Sequence, residues 1–254
     1  MSGSDVVVDV GDDFVATVEI RRGPNNYFNP TVIADIADAF ERLDDDPRCR
    51  AIVLCSEGKH FCAGADFTGE MTEPGAAGRV YEHGVRLFVT SVPVVAAVQG
   101  AAIGGGAGLA LAADFRVATP SSRFTTNFAR LGFHQGFGIS VTLPHVVGPT
   151  RAAELLYSGR NVSGTEAEAI GLCDKLAEPE KLRARAREFA AAFVGSAPQA
   201  VRSIKRTLRR DLAEQVRGIV DHELAEQTRL RRTNDFREGI RASSERRLPR
   251  FTGE

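Results

Sequence analysis

The glycine-rich stretch 93–116 constrains this chain more than any other segment. It reads P-V-V-A-A-V-Q-G-A-A-I-G-G-G-A-G-L-A-L-A-A-D-F-R. The pattern predicts a buried strand at Val94–Val98, a glycine turn, a helix of small residues and a second strand at 114–117. Glycines ahead of a helix leave free N–H groups at its positive end, where an anion or a developing oxyanion is stabilised. Close packing of the helix against the strand explains the same glycines equally well.

Two nucleotide-binding motifs that contain clustered glycines do not fit this stretch. The third residue after each of Gly106 and Gly108 is leucine, so the G-x-G-x-x-G pattern fails. The residue after Gly105 is glycine instead of the lysine that a phosphate-binding loop requires. A nicotinamide-dependent dehydrogenase is therefore disfavoured.

Composition excludes several classes of partner. The 254 residues carry a net charge of -1, which gives no strong field toward nucleic acid or a membrane surface. The longest apolar run, 92–113, is interrupted by Pro93, Gln99 and glycines, so we expect no membrane span. The four cysteines form no C-x-x-C pair and match no zinc spacing, which favours reduced thiols in the cytoplasm and no metal.

Strand and helix patterns alternate along the first three quarters of the chain, as a mainly parallel α/β sheet requires. We predict strands at 6–10, 14–20 and 51–55, and a helix over 31–43 capped by Thr31. From residue 198 onward the pattern is helical only. The sequence thus predicts a core over 1–195 and a helical region over 196–254.

Several motifs in the same chain resemble one family. They are H-F-C-A-G-A-D at 60–66, the 93–116 stretch, L-L-Y-S-G-R-N-V-S-G-T-E-A-E-A-I-G-L at 155–172 and E-G-I-R-A-S-S-E-R-R-L-P-R-F at 238–251. Together they are similar to the enoyl-CoA hydratase/isomerase, or crotonase, family. The resemblance implies a ClpP/crotonase spiral of ββα repeats with a C-terminal helical trimerisation region. It also implies a homotrimer or a dimer of trimers, an acyl-CoA thioester substrate, and no cofactor beyond the coenzyme A of the substrate.

The resemblance assigns an oxyanion hole to two backbone N–H groups, those of Ala65 and Gly105. An enolate-like charge on the thioester oxygen would be stabilised by these donors, which explains how residues without side-chain chemistry can be catalytic.

The chain departs from its family at the acidic positions. Hydratases of this fold use two Glu residues, and here the matching positions are Gly108 and Phe128. The acid that some isomerases carry falls at about Gly136, and no Asp or Glu lies between Asp114 and Glu154. Hydration by the two-Glu mechanism is therefore not expected.

His134 is the candidate general acid or base that could replace the missing carboxylates, because an ordinary imidazole titrates near neutral pH. A polar loop histidine with a backbone partner is the alternative interpretation. Two functions stay open: an enolate-stabilising acyl-CoA enzyme, and an acyl-CoA-binding protein that has lost catalysis. The resemblance predicts the substrate-binding residues Asn25, Asn26, Tyr27, Lys59, Ala63, Asp66, Phe67, Gly104, Gly108, Phe128 and Gly136.

Overall fold

The computed structural model describes residues 4–254. Within that range, nine strands, β1 to β9 in chain order, span Val6–Val10, Val15–Ile20, Ala51–Ser56, Val94–Val98, Ala101–Ile103, Phe115–Ala118, Arg123–Thr125, Asn161–Ser163 and Lys175–Leu176. Nine α-helices over the same range, α1 to α9, span Pro30–Asp45, Ala76–Gly84, Gly105–Ala112, Ile139–Val147, Pro149–Ser158, Gly164–Ala169, Leu182–Ala191, Pro198–Leu230 and Asn234–Ser244.

Two sheets organise the fold. The larger has the order β1-β2-β3-β4-β6-β9, in which only the β1–β2 pair is antiparallel. The smaller has the order β5-β7-β8 and lies beyond the carboxyl end of β4, since β5 follows β4 after two residues. This mixed α/β architecture with helical C-terminal elements agrees with the predicted crotonase-like fold class.

The apolar sequences of the two central strands, β3 and β4, require that both faces of the larger sheet be covered. Every residue of β3 and β4 is buried, and their sequences A-I-V-L-C-S and V-V-A-A-V are almost entirely apolar. Continuous apolar strands are typical of parallel sheets with helices on both sides. Here α7 covers one face with Leu182, Ala186 and Ala190, whereas α1 packs on the main core.

Helix α1 shows how local chemistry sets an element's start. The Asn29 side chain accepts a hydrogen bond from the Val32 N–H at 2.9 Å, and Pro30 occupies the first helical turn. The predicted cap at Thr31 was wrong, because Asn29 provides a capping side chain and Pro30 needs no N–H partner. Ile33, among others, then faces the core.

The C-terminal part contains one 33-residue helix, α8, and the shorter α9. It lies against the sheet through Asp114, whose carboxylate contacts Lys205 Nζ at 2.7 Å and Arg209 Nη1 at 2.9 Å. No helix among residues 4–254 is both long enough and apolar enough to cross a bilayer.

Two short strands were not among the predicted elements. Residues 101–103 form β5 instead of part of a glycine turn, and 161–163 form β8. Both pair with β7, in register Ala101 with Arg123 and Asn161 with Thr125. Three-residue strands carry too few side chains for a period of two to appear in the sequence, so tertiary pairing decides them.

Candidate active site

A cavity of about 560 Å³ opens between the loop after β3, the start of α3, α2, and the end of the C-terminal helices. Its walls are mostly apolar and aromatic, with a few polar groups. This composition is that of a small-molecule site. The structure brings eight of the predicted site residues to its lining: Tyr27, Ala63, Ala65, Phe67, Gly104, Gly105, Phe128 and Gly136.

The loop after β3 and the start of α3 approach each other closely. Cys62 donates its N–H to Ala101 O, and Ile103 donates its N–H to Cys62 O, both at 3.0 Å. A Cβ at Gly106 would overlap Cys62 O, so only glycine permits this contact. The approach places Ala65 and Gly105 on the lining of one cavity although they stand forty residues apart in the chain.

Both of these residues carry a backbone N–H that secondary structure does not use. In the described chain, the Ala65 N–H donates to no backbone carbonyl, whereas the neighbouring Asp66 N–H donates to Phe28 O at 2.8 Å. Gly105 is the first residue of α3, and the first N–H groups of a helix have no intrahelical partner. Its predecessor Gly104 donates to Thr125 O at 2.7 Å. Neither N–H group therefore has a backbone acceptor, and both residues line the cavity.

Aromatic and amide groups occupy the places of the missing carboxylates. A Cβ at Gly108 would lie 2.8 Å from the Cβ of Phe137, so Phe137 fills the space that a side chain at 108 would take. A Cβ at Gly136 would overlap the Tyr81 hydroxyl and lie 2.6 Å from Gln227 Nε2. Among the described lining residues there is no Asp, Glu, His or Lys.

Tyr27, Tyr81 and Arg231 are the ionisable side chains on the described lining, and Tyr81 is the buried one of the two phenols. Burial raises the pKa of the Tyr81 phenol above its ordinary value, and the nearby Glu223 carboxylate acts in the same direction. Tyr81 therefore remains protonated at neutral pH, where it can donate a hydrogen bond or a proton but cannot serve as a base.

Glu223 on α8 fixes the loop that carries Gly136 and Phe137. It is fully buried, and its carboxylate accepts the N–H of Gly138 at 2.8 Å and of Ser140 at 3.1 Å. Desolvation raises the pKa of Glu223, opposed by these hydrogen bonds. Glu223 thus holds one cavity wall against α8 without lining the cavity.

Replacing Glu223 by Gln is expected to lower the free energy of unfolding by about 1–3 kcal/mol, because the amide NH₂ faces a backbone N–H that loses its acceptor. Because the pKa of Glu223 is raised in the folded state, its contribution to the free energy of unfolding falls as the pH rises from 4.5 through that folded pKa. The Gln variant should lack this pH dependence. Urea unfolding at several pH values measures both effects. Glu214→Gln, at an exposed position of α8, serves as the control, and equal stability of the two variants would contradict the assignment.

Three predicted residues lie off the cavity lining. The Asn26 side chain is fully buried, and its Nδ2 donates to Glu57 O at 2.8 Å and to His60 O at 2.6 Å, so it holds the loop and does not reach the cavity. Gly108 lies behind Phe137. The His134 ring lies outside the lining, with Nδ1 2.8 Å from Gln135 O, which matches the alternative of a polar loop histidine.

Three further predicted residues also lie off the cavity lining. Lys59 is exposed, and the Asn25 carbonyl accepts the Ala63 N–H at 2.9 Å. The Asp66 carboxylate accepts the Thr68 N–H at 3.1 Å, which orders the loop after the site. Contacts of these residues with substrate stay predictions.

Sequence reasoning missed the contribution of α8 to the cavity. Gln227 and Arg231 lie one helical turn apart, and both line it. They continue the spacing of the buried Val216, Val220 and Glu223. Polar residues at positions where a helix otherwise buries apolar ones were the available signal.

Comparison with known proteins agrees with this architecture. The sequence model of enoyl-CoA hydratase/isomerase matches residues 11–254. The chain belongs to the enoyl-CoA hydratase/isomerase family. It is 38% identical to a Thermus thermophilus protein over 91% of this chain and 93% of that one. It is also 32% identical to a crotonyl-CoA hydratase of Syntrophomonas wolfei, with 89% of each chain covered.

Solved structures of this enoyl-CoA hydratase/isomerase family superpose on most of the chain. The crystal structure of an enoyl-CoA hydratase/isomerase from Pseudoalteromonas atlantica T6c gives a TM-score of 0.88 at 28% identity, covering 98% of this chain and 100% of that one. The fold class predicted from the sequence is thereby confirmed.

Proposed function

We propose that this member of the enoyl-CoA hydratase/isomerase family binds an acyl-CoA thioester and stabilises its enolate through the N–H groups of Ala65 and Gly105. The supporting observation is that both residues, with N–H groups free of secondary structure, line one apolar cavity. In such a low-dielectric site two fixed donors stabilise negative charge on the carbonyl oxygen more strongly than water does. The coenzyme A belongs to the substrate, so no separate cofactor is required.

The residue types of the cavity lining also favour one reaction of the bound thioester over others. Hydration and double-bond isomerisation both need a base, to activate water or to remove a proton, and the described lining supplies no carboxylate or imidazole. Decarboxylation of a malonyl-type thioester needs none, because the carboxylate leaves as CO₂ and the electrons of the broken carbon–carbon bond enter the thioester as the enolate. The Tyr81 hydroxyl is the protein's proton donor to that enolate. We therefore place C–C cleavage by decarboxylation ahead of hydration, isomerisation and hydrolysis.

A panel of CoA esters tests this proposal. Crotonyl-CoA hydration, followed by loss of the conjugated absorbance, is expected to be about 10²–10⁴-fold slower than with the Syntrophomonas wolfei hydratase assayed in parallel, because general acid–base catalysis contributes that factor. The absorbance of bound conjugated enoyl-CoA should shift to longer wavelength as its carbonyl is polarised. Hydration at the rate of the reference enzyme would contradict the proposed role of the lining.

The second candidate is an acyl-CoA-binding protein of the same fold without catalysis. The observation that favours it is again the lining without a carboxylate. The same panel, extended to malonyl-type and β-ketoacyl-CoA esters, separates the two functions. Turnover of any ester supports the enzyme, whereas binding of esters without turnover supports the binding protein.

The assembly and location belong to the same proposal. A homotrimer or dimer of trimers is supported by the family and by large apolar side chains exposed on α8, Ile204 and Leu208, at 58% and 73%. A cytoplasmic location is supported by four cysteines that are all buried free thiols.

A further inference from the structure

Arg231 directly follows α8 and lines the cavity. Its Nε is buried with no hydrogen-bond partner, and within residues 4–254 its guanidinium makes no ion pair or hydrogen bond. The guanidinium carbon lies 5.9 Å from the centroid of the Phe133 ring. This cation–π contact stabilises the charge but leaves the N–H donors unsatisfied.

Other arginines of the fold are satisfied by the protein itself. Arg116, 3% exposed, donates to Leu172 O at 2.7 Å and pairs with Asp174. Arg209 also has an unpartnered Nε, yet its two terminal nitrogens donate to the Asp114 carboxylate at 2.9 Å and to Ala112 O at 3.1 Å. Arg231 therefore stands apart as a cation that faces a cavity without a protein acceptor.

The groups around Arg231 do not compensate its charge. Tyr81 is held protonated, and the Gln227 amide donates to His134 O at 3.0 Å. The Glu223 carboxylate is used by the backbone N–H groups of Gly138 and Ser140. The Arg231 side chain is half-buried, and an unpaired guanidinium in such a place is unfavourable, so an anionic group bound in the cavity would supply the counter-charge that the protein does not.

We propose that Arg231 binds a carboxylate on the acyl group, so that the preferred substrates are CoA thioesters of dicarboxylic acids. A guanidinium presents parallel N–H donors that match the two oxygens of a carboxylate. The inference rests on the proposed acyl-CoA function and specifies its substrate class. It also gives the only cation of the described lining a role in specificity.

Binding of paired ligands to the wild type and to Arg231→Gln tests this inference. Malonyl- to adipoyl-CoA are each compared with the ester whose carboxylate is replaced by an uncharged isopropyl group of similar shape. At the optimal chain length the wild type should bind the charged ester about 10- to 100-fold more tightly, as hydrogen bonds to a charged group imply. Arg231→Gln should remove this preference and change affinity for the uncharged esters less than threefold.

The controls separate charge recognition from damage to the fold. Arg232→Gln removes the adjacent, exposed arginine and should leave the preference intact. Thermal unfolding identifies a misfolded variant. Arg231→Lys keeps the positive charge but loses the parallel N–H donors of the guanidinium, so it should retain part of the preference for the charged ester.

Each outcome has one meaning. If no CoA ester binds the wild type, the proposed function itself fails. If charged and uncharged esters bind equally at every length, the function stands and the role of Arg231 is overturned. If Arg231→Gln weakens free CoA and every ester alike, Arg231 binds a phosphate of CoA, which also overturns the carboxylate assignment.

Discussion

Gly105→Pro is expected to lower turnover of the best CoA ester by about 10²–10³-fold relative to Gly105→Ala, because proline removes one of two donors to the thioester oxygen. Proline is tolerated at the first position of a helix, where its missing N–H has no intrahelical partner, and Gly105 begins α3. The readouts are kcat and the red shift of a bound conjugated enoyl-CoA, which should shrink in the proline variant only.

Gly105→Ala is the matched control because both variants add a Cβ at the same place. That Cβ would lie 2.5 Å from the Phe28 ring, so both variants are expected to disturb the cavity to a similar degree. The difference between them reports the replacement of the N–H donor by the ring Cδ of proline. Equal turnover and equal spectral shift in the two variants would remove Gly105 from the oxyanion hole.

Asp114→Ala is expected to lower the free energy of unfolding by about 3–5 kcal/mol, the cost of leaving buried charges without their partner. The Asp114 carboxylate compensates Lys205 and Arg209 and also accepts the Val94 N–H at 2.8 Å. The side chains of Asp114 and Lys205 are each only 10% exposed. Denaturant unfolding measures the loss.

The pH dependence of the stability of Asp114→Ala identifies Lys205 as the buried charge that is left without a partner. Burial lowers the pKa of Lys205, and Asp114 opposes that shift. In Asp114→Ala the pKa falls further, so stability should recover as pH rises through the folded pKa toward 10.5, where the amine is neutral in the folded state. The exposed pair Arg210–Asp211 gives the control, and Asp211→Ala should leave stability unchanged. If Asp114→Ala lowers the free energy of unfolding no more than Asp211→Ala does, the packing of α8 does not depend on this contact.

Local sequence patterns predicted much of the fold. The apolar runs of β3 and β4 were recognisable because both faces of these strands are buried, and the 93–116 stretch indicated a strand, a turn and a small-residue helix. The family motifs in their order predicted the crotonase-like class. The absence of acids at Gly108 and Phe128 was likewise readable from the residues alone.

Tertiary structure decided what fills the places of those acids. Phe137 covers Gly108, and Tyr81 and Gln227 converge on Gly136 from two different helices. These contacts join residues that are 29 to 91 positions apart, so no local periodicity encodes them. The same holds for Arg231, which looks like one more surface arginine in the sequence. Only packing, which withholds every protein acceptor from its guanidinium within the described chain, marks it as a cation that needs a ligand.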